Sequence, residues 1–398
     1  MLPFTHASTR RRRRTDPSAH VDGTSTPRRG LRGSAAATVV CLVAGLTVGL
    51  PPAVVHAASL PGLPWWYTQS PWYAYLPGAK LPTGGGSGTT PTPTLPGSSG
   101  VTGRSVSGTF MNASGALKYT VYVPSTYKAG TAVPLVVALH GCTQDADVFR
   151  QLTRWDQLAE AKKFIVVFPQ QDQNSNQLKC WNFFQPAHMT RDQGEPALIA
   201  GLTKSIQSRY TIDAHRTFVN GLSAGGAMSS VMAATYPDLY AAAGIGSGCE
   251  YAATAACAGY KSADPVQAGQ QAYQAMGSHA RPMPVILFEG DQDTTVPPIN
   301  AQQLVQQWQV TDDLADDGTT GSIPTAPTGV THGQVPGGHA YTVTSYGDGH
   351  SGELLQSWMV SGMGHAWSGG CGCEKYADPA GPDETGAMYA FFMSHPLP

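Results

Sequence analysis

The sequence predicts an α/β fold: a mostly parallel central sheet with helices on both faces and a small lid-like insertion. Three observations carry this prediction. Short, continuous apolar runs at 134–140 (Pro-Leu-Val-Val-Ala-Leu-His), 164–169 and 284–290 (Pro-Val-Ile-Leu-Phe-Glu-Gly) have the length and uniformity of strands buried on both faces. Segments of helical period alternate with them, the arrangement that builds a sheet covered by crossover helices. Finally, Gly221-Leu222-Ser223-Ala224-Gly225 stands between an apolar run at 216–220 and a helix-like run at 227–236, so a sharp strand-to-helix turn falls on a serine.

Taken in order, the folded domain is expected over 105–398. It opens with edge strands within 108–123, followed by the strand 134–140, a helix at 155–163, the strand 164–169 and a helix at 195–210. After the serine turn come strands at 241–247 and 284–290, a helix at 300–310, strands at 341–346 and 354–359, and a last helix at 383–394. Two stretches break this rhythm. Residues 250–282, with Cys257 and an Ala/Gln-rich run, form the lid-like insertion, and the Gly/Thr/Pro-rich residues 313–338 are expected to be a mobile loop.

Ahead of the domain, residues 1–57 read as an export signal. A long basic region containing Arg10 to Arg14 precedes an apolar core at 34–50 and a small-residue site at Val55-His56-Ala57, with cleavage near Ala57. Gly45, Gly49, Pro51 and Pro52 make the apolar run a poor spanning helix, so no stable membrane association is expected after cleavage and the protein is expected to be secreted. Residues 58–104 combine an aromatic arm (Trp65, Trp66, Tyr67, Trp72, Tyr73, Tyr75) with a Gly/Ser/Thr/Pro-rich linker. The whole chain holds 24 basic and 26 acidic side chains; removing the eight arginines and two aspartates of 1–57 leaves 16 against 24, a net charge near -8. An acidic body poor in Lys and Arg argues against nucleic acid as a partner.

Six cysteines follow the leader: Cys142, Cys180, Cys249, Cys257, Cys371 and Cys373. An even number in an exported chain points to disulfides, and their count alone leaves the pairing open. Cys371 and Cys373 with nearby His365 lack a second ligand pair at zinc spacing, so no metal and no other cofactor is expected.

A serine hydroxyl attacks only when a positioned base takes its proton, and the base needs a carboxylate to fix its tautomer. In a strand-ordered fold of this kind the carboxylate and the histidine follow the serine on later loops. Directly after the strand 284–290 stands Asp291-Gln292-Asp293-Thr294-Thr295-Val296-Pro297. Both aspartates are candidates; Asp293 is preferred, because a residue at the strand end more often shapes the turn. Of the six histidines after Ser223, only His365 lies in a glycine-rich loop just after a strand (Gly362-Met363-Gly364-His365-Ala366-Trp367), so it is the expected base. An oxyanion hole needs two backbone N–H groups: one from Ala224, the other from the loop at His140-Gly141-Cys142-Thr143, where His140 itself is expected to structure the loop.

The runs His140-Gly141-Cys142-Thr143-Gln144, Cys180-Trp181-Asn182-Phe183-Phe184, Gly194-Glu195-Pro196, Gly221-Leu222-Ser223-Ala224-Gly225-Gly226-Ala227-Met228, Gly290-Asp291-Gln292-Asp293 and Gly364-His365-Ala366-Trp367 occur in that order. Together they resemble the polyhydroxybutyrate depolymerase family of esterases, whose relatives include feruloyl and acetylxylan esterases. The resemblance implies an α/β-hydrolase fold with Ser223, Asp293 and His365 as a catalytic triad and the N–H groups of Cys142 and Ala224 as the oxyanion hole. Three further expectations accompany it. Cys142 pairs with Cys180 and Cys249 with Cys257, leaving Cys371 and Cys373 to each other or free. Trp181 and Trp367 wall the acyl site. The protein is a secreted serine esterase acting on polyester or oligomeric 3-hydroxyalkanoate esters, the alternatives being a feruloyl- or acetylxylan-type carbohydrate esterase, an amide-polymer hydrolase, or a polymer-binding protein with a vestigial triad.

Overall fold

A computed structural model describes residues 102–253, 257, 264–350 and 352–398. The expected export signal and the aromatic arm lie outside the described residues.

Among the described residues, ten strands form one sheet in the order β1-β2-β4-β3-β5-β6-β7-β10-β9-β8. In sequence they are β1 (Arg104–Asn112), β2 (Gly115–Val123), β3 (Val133–Leu139), β4 (Ile165–Gln170), β5 (Ile212–Leu222), β6 (Ala243–Gly246), β7 (Val285–Gly290), β8 (Gly329–Gln334), β9 (Ala340–Gly347) and β10 (Glu353–Val360). The run β4-β3-β5-β6-β7-β10 is parallel throughout, and β2 and β9 attach antiparallel at its two ends. This is the mostly parallel sheet read from the sequence, and its burial explains the uniform apolar runs: every residue of β3 is buried.

Alternation along the strands sorts the core into two layers. Leu135, Val137 and Leu139 face the side packed by α3 (Gly194–Arg209), α4 (Ala224–Thr235), α5 (Pro265–Met276) and α6 (Ile299–Asp317), whereas Val136 and Ala138 face α1 (Ala146–Thr153), α2 (Trp155–Lys162) and α7 (Glu384–Ser394). The second layer is built on aromatics. Phe218 of β5 stacks on Phe392 of α7 with ring centroids 4.8 Å apart, and the Trp155 indole N–H donates to Asn220 Oδ1 at 3.0 Å. Truncating a ring such as Phe392 to alanine is expected to cost about 3–5 kcal/mol.

Three local readings change. α1 was not anticipated: it is short, and its start is marked only by Asp145, whose side chain accepts the Val148 N–H at the N-cap. Nor is 313–338 a single mobile loop. Polar α6 runs on to Asp317 and stops at Gly318, β8 pairs antiparallel with β9, and the connection is pinned where Asp313 accepts from Gly321 N (2.6 Å), Ser322 Oγ (2.9 Å) and Ile323 N (2.7 Å). Within the expected lid, 254–256 and 258–263 lie outside the described residues, while α5 packs against α4 and α6 as part of the body.

Candidate active site

The parallel strands end in near alignment: Leu139 lies opposite Gly221, Leu222 opposite Gly246, Gly246 opposite Phe288, and Gly290 opposite Val360. The loops after β3, β5, β7 and β10 therefore open on one edge of the sheet, where open α/β sheets place their sites.

Ser223 links β5 to α4 with φ 59° and ψ -120°, and its N–H is held by Gly246 O at 2.8 Å. A non-glycine residue in such a conformation costs about 1–3 kcal/mol, so the surroundings must impose it. They do so by close packing of the helix onto β3: a Cβ on Gly225 would stand 2.0 Å from Leu139 O. Every residue of α4 is buried, and the small Ala, Gly and Ser side chains of its first turns make the close approach possible.

The loops after β7 and β10 are tied together before any side chain is considered. Asp291 N donates to Val360 O (3.1 Å) and Gln292 N to Met363 O (3.0 Å), and Gly290 allows Met363 to pass, since a Cβ there would sit 2.2 Å from Met363 O. Asp291 Oδ1 accepts the Gly362 N–H at 2.7 Å, so this aspartate shapes the turn. Asp293 instead turns inward: Oδ1 accepts from Thr295 N (2.7 Å) and Val296 N (2.8 Å), and Oδ2 accepts from His365 Nδ1 at 2.6 Å. The Asp293 side chain is fully buried and that of His365 is 9% exposed. With Nδ1 committed, Nε2 is the ring nitrogen left to act, and Ser223 and His365 line the same cleft.

That cleft is small, about 30 Å³, and lined by Gly141, Cys142, Thr143, Gln144, Leu222, Ser223, His365 and Tyr376. In the loop after β3, Gly141 N donates to Gln144 Oε1 (2.9 Å), Thr143 N to Leu178 O (2.6 Å) and Gln144 N to Gly141 O (3.4 Å). The N–H of Cys142 has no protein acceptor among the described residues. Ala224 opens α4, ahead of the first intrahelical bond from Ala227 N to Ser223 O (2.9 Å), so its N–H is likewise unspent. Two N–H groups, one from the loop after β3 and one from the start of α4, are thus left without a protein acceptor among the described residues.

His140 braces this loop. Its Nδ1 donates to Gly141 O at 2.7 Å, and its Nε2 accepts from Gln171 N at 3.0 Å. Burial lowers its pKa to about 4, and protonating Nε2 would set two donors face to face.

The expected wall of Trp181 and Trp367 is not built. Both indoles are fully buried and neither lines the cleft. Trp181 turns back beneath the loop, its Nε1 donating to His140 O at 3.0 Å, and Trp367 packs edge-on to Phe149 while donating to Thr385 Oγ1 at 2.9 Å. Each indole found an interior acceptor, which fixed its direction inward. The ring beside His365 is Tyr376, half-buried, with centroids 5.8 Å apart. It is placed by a two-stranded ribbon in which β11 (Trp367–Ser368) pairs with β12 (Ala377–Asp378). Nothing in its local sequence marks it.

Sequence reading also passed over Glu289, the single charged residue of β7. It is buried, and burial, followed by the charge of neighbouring Asp293, pushes its pKa well above the ordinary carboxyl range. Among the described residues there are three disulfides: Cys142–Cys180, Cys249–Cys257 and Cys371–Cys373. The first joins the loop after β3 to the segment that carries Trp181.

A parallel sheet covered on both faces, with a strained serine between strand and helix, defines an α/β-hydrolase. The chain belongs to the Esterase PHB depolymerase family, whose model matches residues 117–328. It is 36% identical over 265 residues to poly(3-hydroxyalkanoate) depolymerase C of Paucimonas lemoignei, covering 63% of this chain and 58% of that protein. Acetylxylan esterase A of Talaromyces purpureogenus is 33% identical over 219 residues, covering 52% of this chain and 56% of that one. The chain thus spans little more than half the length of these relatives. Among solved structures, the acetyl xylan esterase from Aspergillus awamori superposes with a TM-score of 0.53 at 26% identity, covering 63% of this chain and 89% of that one. Among the described residues, no helix is long and apolar enough to cross a membrane.

Proposed function

We propose that this chain is an exported serine esterase that cleaves ester bonds of polyester or oligomeric 3-hydroxyalkanoates through an acyl-enzyme. The observation that carries the reading is the 2.6 Å contact of His365 Nδ1 with buried Asp293, in the cleft that also presents Ser223. Ser223 Oγ attacks the ester carbonyl carbon as its proton passes to His365 Nε2. The carbonyl oxygen becomes an oxyanion facing the N–H groups of Cys142 and Ala224. Collapse of the tetrahedral species breaks the bond to the alkoxy oxygen, which leaves as the alcohol with the proton from His365. Water, deprotonated by the same nitrogen, then releases the acid and restores Ser223. Asp293 stays ionised throughout and balances the imidazolium.

The size of the cleft bears on the substrate. A cleft of about 30 Å³ suits a scissile carbonyl and a short stub of chain, which supports a substrate whose remainder stays outside it. An extended polyester meets that condition. So does an acetyl group on a polysaccharide, which is the second reading favoured by the same cleft and by the similarity to acetylxylan esterases.

Rates measured side by side on 3-hydroxybutyrate oligomers, acetylated xylan and methyl ferulate test the proposal. We expect 3-hydroxybutyrate release to dominate. Acetate release alone would move the assignment to the second reading, and ferulate release alone would overturn both.

A further inference from the structure

We infer that Glu289 is a positioning residue for this site: as a neutral carboxylic acid it donates a hydrogen bond to Asp293 and holds that carboxylate turned toward His365. The inference rests on the roles proposed above for Asp293 and His365.

Glu289 is the penultimate residue of β7, and its side chain is buried at the root of the loop that carries Asp293. The Asp293 carboxyl is near enough to act on it by charge and by hydrogen bonding. Two carboxylates have no hydrogen to share, so a bond between these neighbours requires a proton on one of them. Asp293 accepts three N–H groups, from Thr295, Val296 and His365. Glu289 accepts one, from Gly290 at 3.1 Å. The better-solvated anion is Asp293, so the proton belongs to Glu289.

The groups facing Glu289 agree. Besides Asp293, the charged neighbour is Glu384 at the start of α7, itself fully buried, with Oε2 accepting from Ser368 N at 2.8 Å and Oε1 without a partner among the described residues. Burial also raises the Glu384 pKa well above the ordinary range. No Lys or Arg among the described residues forms an ion pair with any of these three carboxyls. An ionised Glu289 would set a second negative charge beside Asp293, whereas a neutral one supplies Asp293 with a fourth donor.

The consequence falls on His365. A donor on Asp293 spreads its negative charge and moderates its pull on the imidazolium, and it keeps the carboxylate from rotating away between turnovers. Glutamine can reproduce the arrangement, with Nε2 donating to Asp293 and Oε1 accepting from Gly290 N. Leucine cannot.

The test is the pH profile of kcat/KM on a soluble ester for wild type, Glu289→Gln and Glu289→Leu, with melting temperatures recorded for each. We expect Glu289→Gln to hold kcat within about threefold and to leave the acid limb in place. Glu289→Leu should lower kcat by about tenfold with KM nearly unchanged, and move the acid limb to higher pH, because Asp293 then holds the imidazolium more tightly. A downward shift of the limb in Glu289→Gln would mean that a charge had been removed, and would overturn the inference. So would equal losses in both variants with no change of limb, which is packing alone. If Glu289→Leu does not fold, Glu289→Gln decides by itself. Failure of the underlying reading is visible separately, as activity that survives Ser223→Ala whatever occupies position 289.

Discussion

Asp293 holds His365 Nδ1 at 2.6 Å, while Asp291, two residues earlier on the same loop, holds the backbone N–H of Gly362 at 2.7 Å. One aspartate orients a ring and the other shapes the turn that brings the ring over. Their substitutions should therefore separate. Asp293→Asn is predicted to lower kcat by about 10³- to 10⁴-fold, because the amide favours the wrong tautomer of the histidine. Asp291→Asn keeps an acceptor for Gly362 and should stay within about tenfold of wild type. Steady-state kinetics on a chromogenic ester checks both, and a larger defect at Asp291 would reverse the assignment.

Tyr376, and neither tryptophan, should affect how long substrates are handled. Tyr376→Ala is predicted to raise KM for ester oligomers more than for a small activated ester, since contact remote from the carbonyl is lost only with the longer chain. Trp181→Ala and Trp367→Ala remove rings that are fully buried, and each should cost about 3–5 kcal/mol of stability. Their effect on activity should not discriminate between substrates. Urea denaturation alongside oligomer and small-ester kinetics distinguishes the cases, and a selective oligomer defect in a folded tryptophan variant would restore the wall.

His140 sets a pH dependence of stability. Its pKa lies near 4 in the folded chain and near 6.5 when unfolded. The unfolded state therefore binds the extra proton first on acidification: the stabilising contribution of the neutral ring is fully present above pH 6.5 and is lost as the pH falls toward 4. The shift corresponds to about 3 kcal/mol across that window. Denaturation midpoints measured from pH 7 to 4 should fall more steeply for wild type than for His140→Gln, which cannot titrate. Parallel curves would show that His140 carries no such linkage.

Much of this arrangement is legible in the residues because backbone constraints wrote it there. A serine at φ 59° between a buried strand and a buried helix requires the small residues Ala224 and Gly225 behind it, and those are visible in any reading of 221–228. The order of buried runs places Asp293 and His365 on neighbouring loops, and the register of β7 with β10 brings them together. What was not legible depends on side-chain direction. Trp181 and Trp367 stand next to the right residues in sequence, yet adjacency does not say whether an indole turns into the cleft or toward an interior acceptor. Tyr376 reaches His365 only through pairing between residues 367–368 and 377–378, too short to leave a pattern. Glu289 did leave a signal, as the lone acid in an apolar strand; its meaning needed the neighbour that only the fold supplies.

The most direct measurement is identification of the residue that carries the covalent intermediate. A fluorophosphonate ester, which mimics the tetrahedral species, should label the protein once per chain, and peptide mass spectrometry should place the adduct on Ser223. Ser223→Ala should take up no label and lose about a thousandfold or more of its ester hydrolysis while remaining folded. Label on any other residue, or more than about a tenth of wild-type activity in Ser223→Ala, would contradict the account.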